Sequence, residues 1–274
     1  MVRLVTVLIL FPTLLMIYFT MTGCTSTPHD MVWVPGGPFI MGTHEVDTEG
    51  KALELGIVKP WFSDEHPSHK VTLDPYYIDR YEVTQGEYGQ FVSKTNKRPP
   101  ADWSGRRSPP DRERHPVVFV SWRNASDYCK WKGKRLPNEA EWEKAARGND
   151  ERIYPWGNTF DQNRSNIGGF IGKTLPVGSY ENGKSPYGAY DMIGNVWEWT
   201  SDWYQAYPGN TENSEDFGEK FKVLRGSSWA GVGHFPGEEA GKILAHNSRV
   251  TFRLFSNPEE SELNDVGFRC AKSA

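Results

Sequence analysis

Apolar residues in this chain come in short bursts between turn formers, and only three stretches carry a helical period. Val32-Trp33-Val34 and Phe39-Ile40-Met41 flank Pro35-Gly36-Gly37 and predict two short strands around a turn. Val71-Thr72-Leu73 and Tyr76-Tyr77-Ile78 predict two more strand pieces. Thr84 with Glu87 three residues later is a capping box, and Tyr88, Phe91 and Val92 give the helix it opens an apolar stripe. Ser121 caps a second helix carrying Trp122, Ala125, Tyr128 and Cys129. Asn138 with Glu141 caps a third, which runs through Trp142, Ala145 and Ala146 to a stop at Gly148. After residue 148 no helix is predicted, and the remainder reads as short strands and long Gly/Asn/Pro loops. So little regular structure calls for other fasteners, such as buried indoles, a disulfide or metal ions. With no repeat and no long linker, residues 31–274 are expected to form one domain.

Composition sharpens this picture. Among the 274 residues are 11 Trp, 27 Gly and 19 Pro, a mixture that fits irregular backbone pinned by indoles and fits neither a helical bundle nor a plain doubly wound sheet. Lys+Arg 31 against Asp+Glu 35 gives a net charge of -4, without the basic footprint of a nucleic-acid binder.

The N-terminus reads as an address. Arg3 precedes an apolar run from Leu4 to Thr20, which ends at Met21-Thr22-Gly23-Cys24 before a polar Ser/Thr/Pro segment. The run is interrupted by Pro12 and is slightly short for a comfortable membrane span of about 20 residues. A short positive start, an apolar stretch and a small residue before the cut describe a secretory signal peptide over residues 1–23. Gly23-Cys24 resembles the lipobox of bacterial lipoproteins, which implies lipidation of Cys24, a tether over residues 24–30 and attachment to the cell envelope. An N-terminal anchor that stays attached is the alternative. Thr25 after the cysteine, rather than Asp, implies the outer membrane. With Cys24 carrying lipid, Cys129 and Cys270 remain as a pair in a disulfide-permissive compartment.

A series of ordered motifs identifies the family resemblance. It runs from Met31-Val32-Trp33-Val34-Pro35-Gly36-Gly37 and Tyr77-Ile78-Asp79-Arg80-Tyr81-Glu82-Val83-Thr84 to Gly133-Lys134-Arg135-Leu136-Pro137-Asn138-Glu139. Gly194-Asn195-Val196-Trp197-Glu198-Trp199, Arg225-Gly226-Ser227-Ser228-Trp229 and Gly267-Phe268-Arg269-Cys270 complete it. The chain resembles the formylglycine-generating enzyme (sulfatase-modifying factor) domain over roughly residues 31–272. The resemblance implies a single α+β domain with a C-type-lectin-like core, low in regular secondary structure. It also implies a disulfide between Cys129 and Cys270.

The family's oxidases use a cysteine pair, copper and oxygen to turn a substrate cysteine into formylglycine. Counting forward from Arg225 to Trp229 puts Gly231 and Pro236 where those cysteines fall, and no cysteine lies between Cys129 and Cys270. Soft thiolates hold Cu(I), and no neighbouring residue type replaces them. Copper and formylglycine synthesis by the family's mechanism are therefore not expected. His234 and His246 are the histidines of this stretch, and solvated or hydrogen-bonded roles suit them better than metal binding.

Calcium is the cofactor the resemblance does imply. Asp191 and Glu198 would offer carboxylate oxygens and Gly194 and Val196 main-chain carbonyls, the hard donors Ca²⁺ requires. The alternative is that Asp191 orders a turn and Glu198 meets an arginine. A second family site matches only at Asn166 and Ile167, without an acidic partner loop. Arg249, Arg253 and Arg269 match family positions near the substrate groove, where they would either face ligand or hold carboxylates in fixed forks. Trp197, Ser228 and Trp229 complete the candidate groove.

Two functions follow. The first is a non-catalytic binding or scaffold module, anchored in the cell envelope by lipid, whose partner is an envelope protein, a peptide or a glycan. Its specificity would reside in Ala230 to His246, a Gly-rich, acidic and aromatic stretch replacing the family's catalytic segment. The alternative is an oxidase or protein/peptide-modifying factor with chemistry other than a copper-dithiolate site. Fold alone does not choose between them.

Overall fold

The computed structural model describes residues 30–57, 59–232, 235 and 237–274. The expected signal peptide, Cys24 and nearly all of the expected tether lie outside the described residues, as does His234. Among the described residues no helix is long and apolar enough to cross a membrane.

Strands β1 (Met31–Val34) and β2 (Gly37–Met41) flank the expected turn, yet they do not pair with each other. β2 runs antiparallel to β3 (His69–Leu73), and β1 runs antiparallel to β4 (Tyr76–Asp79). Two linkers, Pro35-Gly36 and Asp74-Pro75, cross where the ladders diverge. A Cβ on Gly36 would stand 2.8 Å from Pro75 Cδ, so only glycine permits that crossing. The C-terminal strand β9 (Ala271–Ser273) closes on β4, bringing the first and last described strands into one sheet.

Local capping sets the helices. In α2 (Gln85–Thr95) the Thr84 hydroxyl accepts from the Glu87 amide while the Glu87 carboxylate accepts from Thr84 N, the reciprocal box expected. Ser121 caps α3 (Trp122–Trp131) through the Asn124 amide. Asn138 and Glu141 form a second reciprocal box on α4 (Glu139–Arg147), which ends at Gly148 with φ 78°. A one-turn α1 (Lys51–Glu54) precedes β3.

A four-stranded sheet of order β7-β6-β5-β8 forms the second half, from β5 (Trp197–Trp203), β6 (Lys222–Arg225), β7 (Leu254–Ser256) and β8 (Val266–Gly267). The expectation that no helix follows residue 148 is corrected by α5, Gly237–Asn247. Glycines 237 and 241 mask it in the sequence, but Ile243, Leu244 and His246 bury one face.

Aromatic side chains knit these pieces together. Tyr88, Phe91, Tyr128, Trp199 and Phe268 form one core around the Cys129–Cys270 disulfide, whose Cα atoms are 5.6 Å apart. Trp142, Ile167, Met192, Leu244 and Val250 anchor a second. Two fully buried indoles keep their N–H groups paired: Trp199 donates to Val120 O at 2.9 Å and Trp142 to Glu198 Oε2 at 2.9 Å.

Candidate functional site

Helix α4 is buried on nearly every side although its sequence is charged, and the charges are paired from neighbouring elements. Arg225 of β6 donates to Glu139 at 3.1 Å and to Glu143 at 2.5 Å. Arg253 closes a fork on Glu139 at 2.7 and 3.0 Å. Lys144 donates to Pro35 O and Gly37 O, and Arg147 to Ile40 O and Gly42 O, which fastens the diverging strands to the helix. Buried charges survive only when matched in this way.

A second buried group surrounds the turn at 191–198, where Asp191, Gly194 and Asn195 all have positive φ. Arg269 closes on Glu198 at 2.6 and 2.7 Å, so both Glu198 oxygens are engaged. Asp191 Oδ2 accepts the Gly178 amide at 2.6 Å. Glu82 accepts from Asn195 Nδ2 at 2.8 Å and from Val196 N at 3.2 Å. Burial pushes the Asp191 carboxyl up to about 6, only partly offset by the Gly178 amide and Arg269. Burial, and then the charges of Asp191 and Glu198, raise Glu82 well above the usual carboxylate range.

Three buried carboxylates thus share one guanidinium, and a divalent cation would correct that deficit. Among the described residues no three His, Cys, Asp or Glu side chains converge to hold a metal by themselves. Calcium here would draw on Asp191, on main-chain carbonyls of Gly194 and Val196, and on a Glu198 carboxylate shared with Arg269. The residues fit calcium in charge and donor type. At the second family position Asn166 Oδ1 is buried without a hydrogen-bond partner, while the Asn166 carbonyl accepts from Asn195 N at 2.9 Å.

A separate hollow lies elsewhere. A cavity of about 460 Å³ opens between α1, the segment at Trp61 and Phe62, and the C-terminal half of α5. A neighbouring hollow of about 300 Å³ shares Trp61, Phe62 and His246 with it and reaches Phe235 and Arg253. Trp61 lies flat on His246 with ring centroids 4.6 Å apart and planes 12° from parallel. Phe62 stands edge-on to the same imidazole at 4.9 Å, with the Arg249 guanidinium 4.6 Å from its ring centre. Phe62 has φ 67°, a left-handed conformation that costs a bulky residue on the order of 1–2 kcal/mol.

His246 is nearly buried within this wall. Burial pushes its imidazole down to about 3, with Arg249 adding to the effect, so the ring is neutral at pH 7. Glu65 Oε1 stands 3.7 Å from His246 Nε2, and Glu65 Oε2 accepts from the Thr251 hydroxyl at 2.5 Å. Burial raises the Glu65 carboxyl to about 7 against the opposing charge of Arg249.

The expected groove residues divide between these places. Arg249 lines the cavity and donates to Glu45 at 3.0 Å and Thr43 at 3.3 Å. Arg253 and Arg269 have 2% and 0% of their surface exposed and act as forks on Glu139 and Glu198. Trp197 packs behind the wall against Phe252. Ser228 donates to Asp265 Oδ2 at 2.8 Å, and the Trp229 indole to Asn264 O at 3.4 Å. Sequence reasoning missed Trp61, Phe62 and Tyr154, and reached Lys242 only as part of the Ala230 to His246 stretch, because the cavity joins segments nearly two hundred residues apart.

The fold and this arrangement define a formylglycine-generating-enzyme-like domain on a C-type-lectin-like scaffold. Residues 20–274 match the sulfatase-modifying factor enzyme 1-like domain, and the chain belongs to that family. It is 33% identical over 297 residues to inactive C-alpha-formylglycine-generating enzyme 2 of Mus musculus, covering 89% of this chain and 86% of the relative. It is 31% identical over 312 residues to formylglycine-generating enzyme of Bos taurus, covering 91% and 76%. The solved structure of PvdO from Pseudomonas aeruginosa superposes with a TM-score of 0.65 at 28% identity, covering 89% of this chain and 94% of that one.

Proposed function

We propose that this chain is a non-catalytic binding module, displayed outside the cytoplasm from a lipid on Cys24, and that it does not synthesise formylglycine. One observation carries the reading: of the three cysteines, Cys129 and Cys270 are joined to each other, and none lies between them in sequence. In the segment after Arg225, α5 instead closes over Trp61 and Phe62 and leaves a walled cavity. Residues 20–274 supply the scaffold, and the copper-dithiolate centre cannot be assembled from them. The similarity to a mouse protein named as inactive supports the same reading. Calcium at Asp191, Gly194, Val196 and Glu198 is proposed as a structural ion holding the 191–198 turn against Arg269.

Anaerobic titration of Cu(I) against a chromophoric chelator tests the proposal. The chelator is expected to keep the metal. Retention of one Cu(I) per chain against the chelator would overturn it. Mass spectrometry of the membrane-extracted protein tests the anchor: a diacylglyceryl mass on an N-terminal Cys24 is expected, and an unmodified Cys24 within an uncleaved chain would contradict it.

A further inference from the structure

The geometry points to a specific ligand class for the cavity under α5: a small aromatic carboxylate, its ring held by Trp61, Phe62 and Tyr154 and its charge met by Lys51, Lys242 and Arg249. This deepens the reading of the chain as a binding module and rests on it.

Shape comes first. The hollow holds about 460 Å³, within the range of small-molecule sites, and its apolar wall is aromatic. Trp61 and Phe62 are fixed in place by their shared contact with His246, and Tyr154 by donating its hydroxyl to Ala245 O at 3.1 Å and stacking on Trp156. Rigid rings favour flat apolar guests through offset and edge-to-face packing. The left-handed backbone at Phe62 is the strained element of this wall and sets the ring's direction.

Charge and hydrogen bonding select the polar end. Lys51, Lys242 and Arg249 line the cavity against one acid, Glu54, while the His246 ring contributes no charge. Each cation has a carboxylate partner outside: Lys51 meets Glu49 at 2.8 Å, Lys242 meets Glu238 at 2.9 Å, and Arg249 meets Glu45 at 3.0 Å. Those carboxylates are exposed, so the pairs are weak and exchangeable. Two donors of the wall, Trp61 Nε1 and Arg249 Nε, are buried with no hydrogen-bond partner, and Glu65 Oε2 stands 3.8 Å from the latter. A wall with three facing cations suits a guest that brings negative charge and acceptor oxygens.

Calorimetric titration of the full chain with indole-3-acetate and its neutral isostere indole-3-acetamide tests this. One acetate per chain is expected, bound at least tenfold more tightly than the amide. Replacing both surface lysines, Lys51→Gln with Lys242→Gln, should shrink that preference several-fold while leaving the melting temperature unchanged. Ala245→Trp, which fills the α5 side of the cavity, should abolish binding of both compounds. Equal affinity for acid and amide, no binding of either at millimolar concentration, or a preference untouched by the lysine pair would each overturn the inference. Aldehyde formation by the chain would remove the non-catalytic reading and leave this titration standing, whereas a silent titration without aldehyde would remove only the ligand class.

Discussion

Arg269 and Glu198 form a closed fork with neither side chain exposed, 71 residues apart in sequence, at 2.6 and 2.7 Å. This pair ties the Gly-Phe-Arg-Cys motif to β5 and fixes the floor of the 191–198 turn. Glu198→Gln keeps the shape and removes the carboxylate that accepts the fork of the buried Arg269 guanidinium. Breaking one partner of such a pair typically costs about 3–5 kcal/mol. Urea unfolding in calcium-free buffer should show that loss; a change within error would mean that the pair is not buried as described.

The proposed calcium and pH would act on the same turn. Asp191 has a folded pKa of about 6 against an ordinary value of 3.8. Its folded state therefore holds a proton that the unfolded state has released, and stability should fall as pH rises from 3.8 to about 6. Calcium should raise the melting temperature at pH 7, chelation should lower it, and Asp191→Asn should remove both the calcium response and this part of the pH slope. An unchanged melt with no calcium by elemental analysis would eliminate the ion.

His246 and Glu65 give opposite pH slopes. The histidine, folded pKa about 3 against 6.5, contributes stability that is present above 6.5 and lost as pH falls. Glu65, folded pKa about 7 against 4.5, contributes stability present below 4.5 and lost as pH rises through 7. The two therefore oppose each other between pH 4.5 and 6.5. NMR titration of the His246 ring should show a neutral imidazole down to pH 5; protonation near 6.5 would contradict its burial in the wall.

The disulfide spans 141 residues of sequence. Closing a loop of that size stabilises by up to about 5 kcal/mol in the chain-entropy account. Replacing Cys129 and Cys270 together with alanine should lower the urea midpoint by a corresponding amount without changing the near-ultraviolet spectrum of the folded state.

The sequence revealed what was local and hid what was distant. The boxes at Thr84/Glu87 and Asn138/Glu141 were legible because each cap and its partner lie within one turn. The Cys129–Cys270 bridge was legible from cysteine arithmetic and family resemblance together. Helix α5 was not, because Gly237 and Gly241 lower its propensity; the available signals were the Glu238–Lys242 pair and the Ile243/Leu244 face. The β1–β2 turn was legible but its pairing was not, since separation of the strands depends on Gly36 meeting Pro75. Glu198 could be read as a metal ligand or as an arginine's partner, and the structure displays the second contact while leaving a charge deficit that suits the first. Nothing local marked Trp61 and Phe62, whose role exists only once α5 arrives.

The central claim is that this member of the family binds and does not oxidise. The full chain would be supplied with copper, oxygen, reductant and a family-type cysteine peptide, and the peptide examined for aldehyde by mass spectrometry. No aldehyde above a protein-free control is the expected result. Aldehyde that depends on the protein would mean that ligands other than thiolates hold copper here, and would contradict the account.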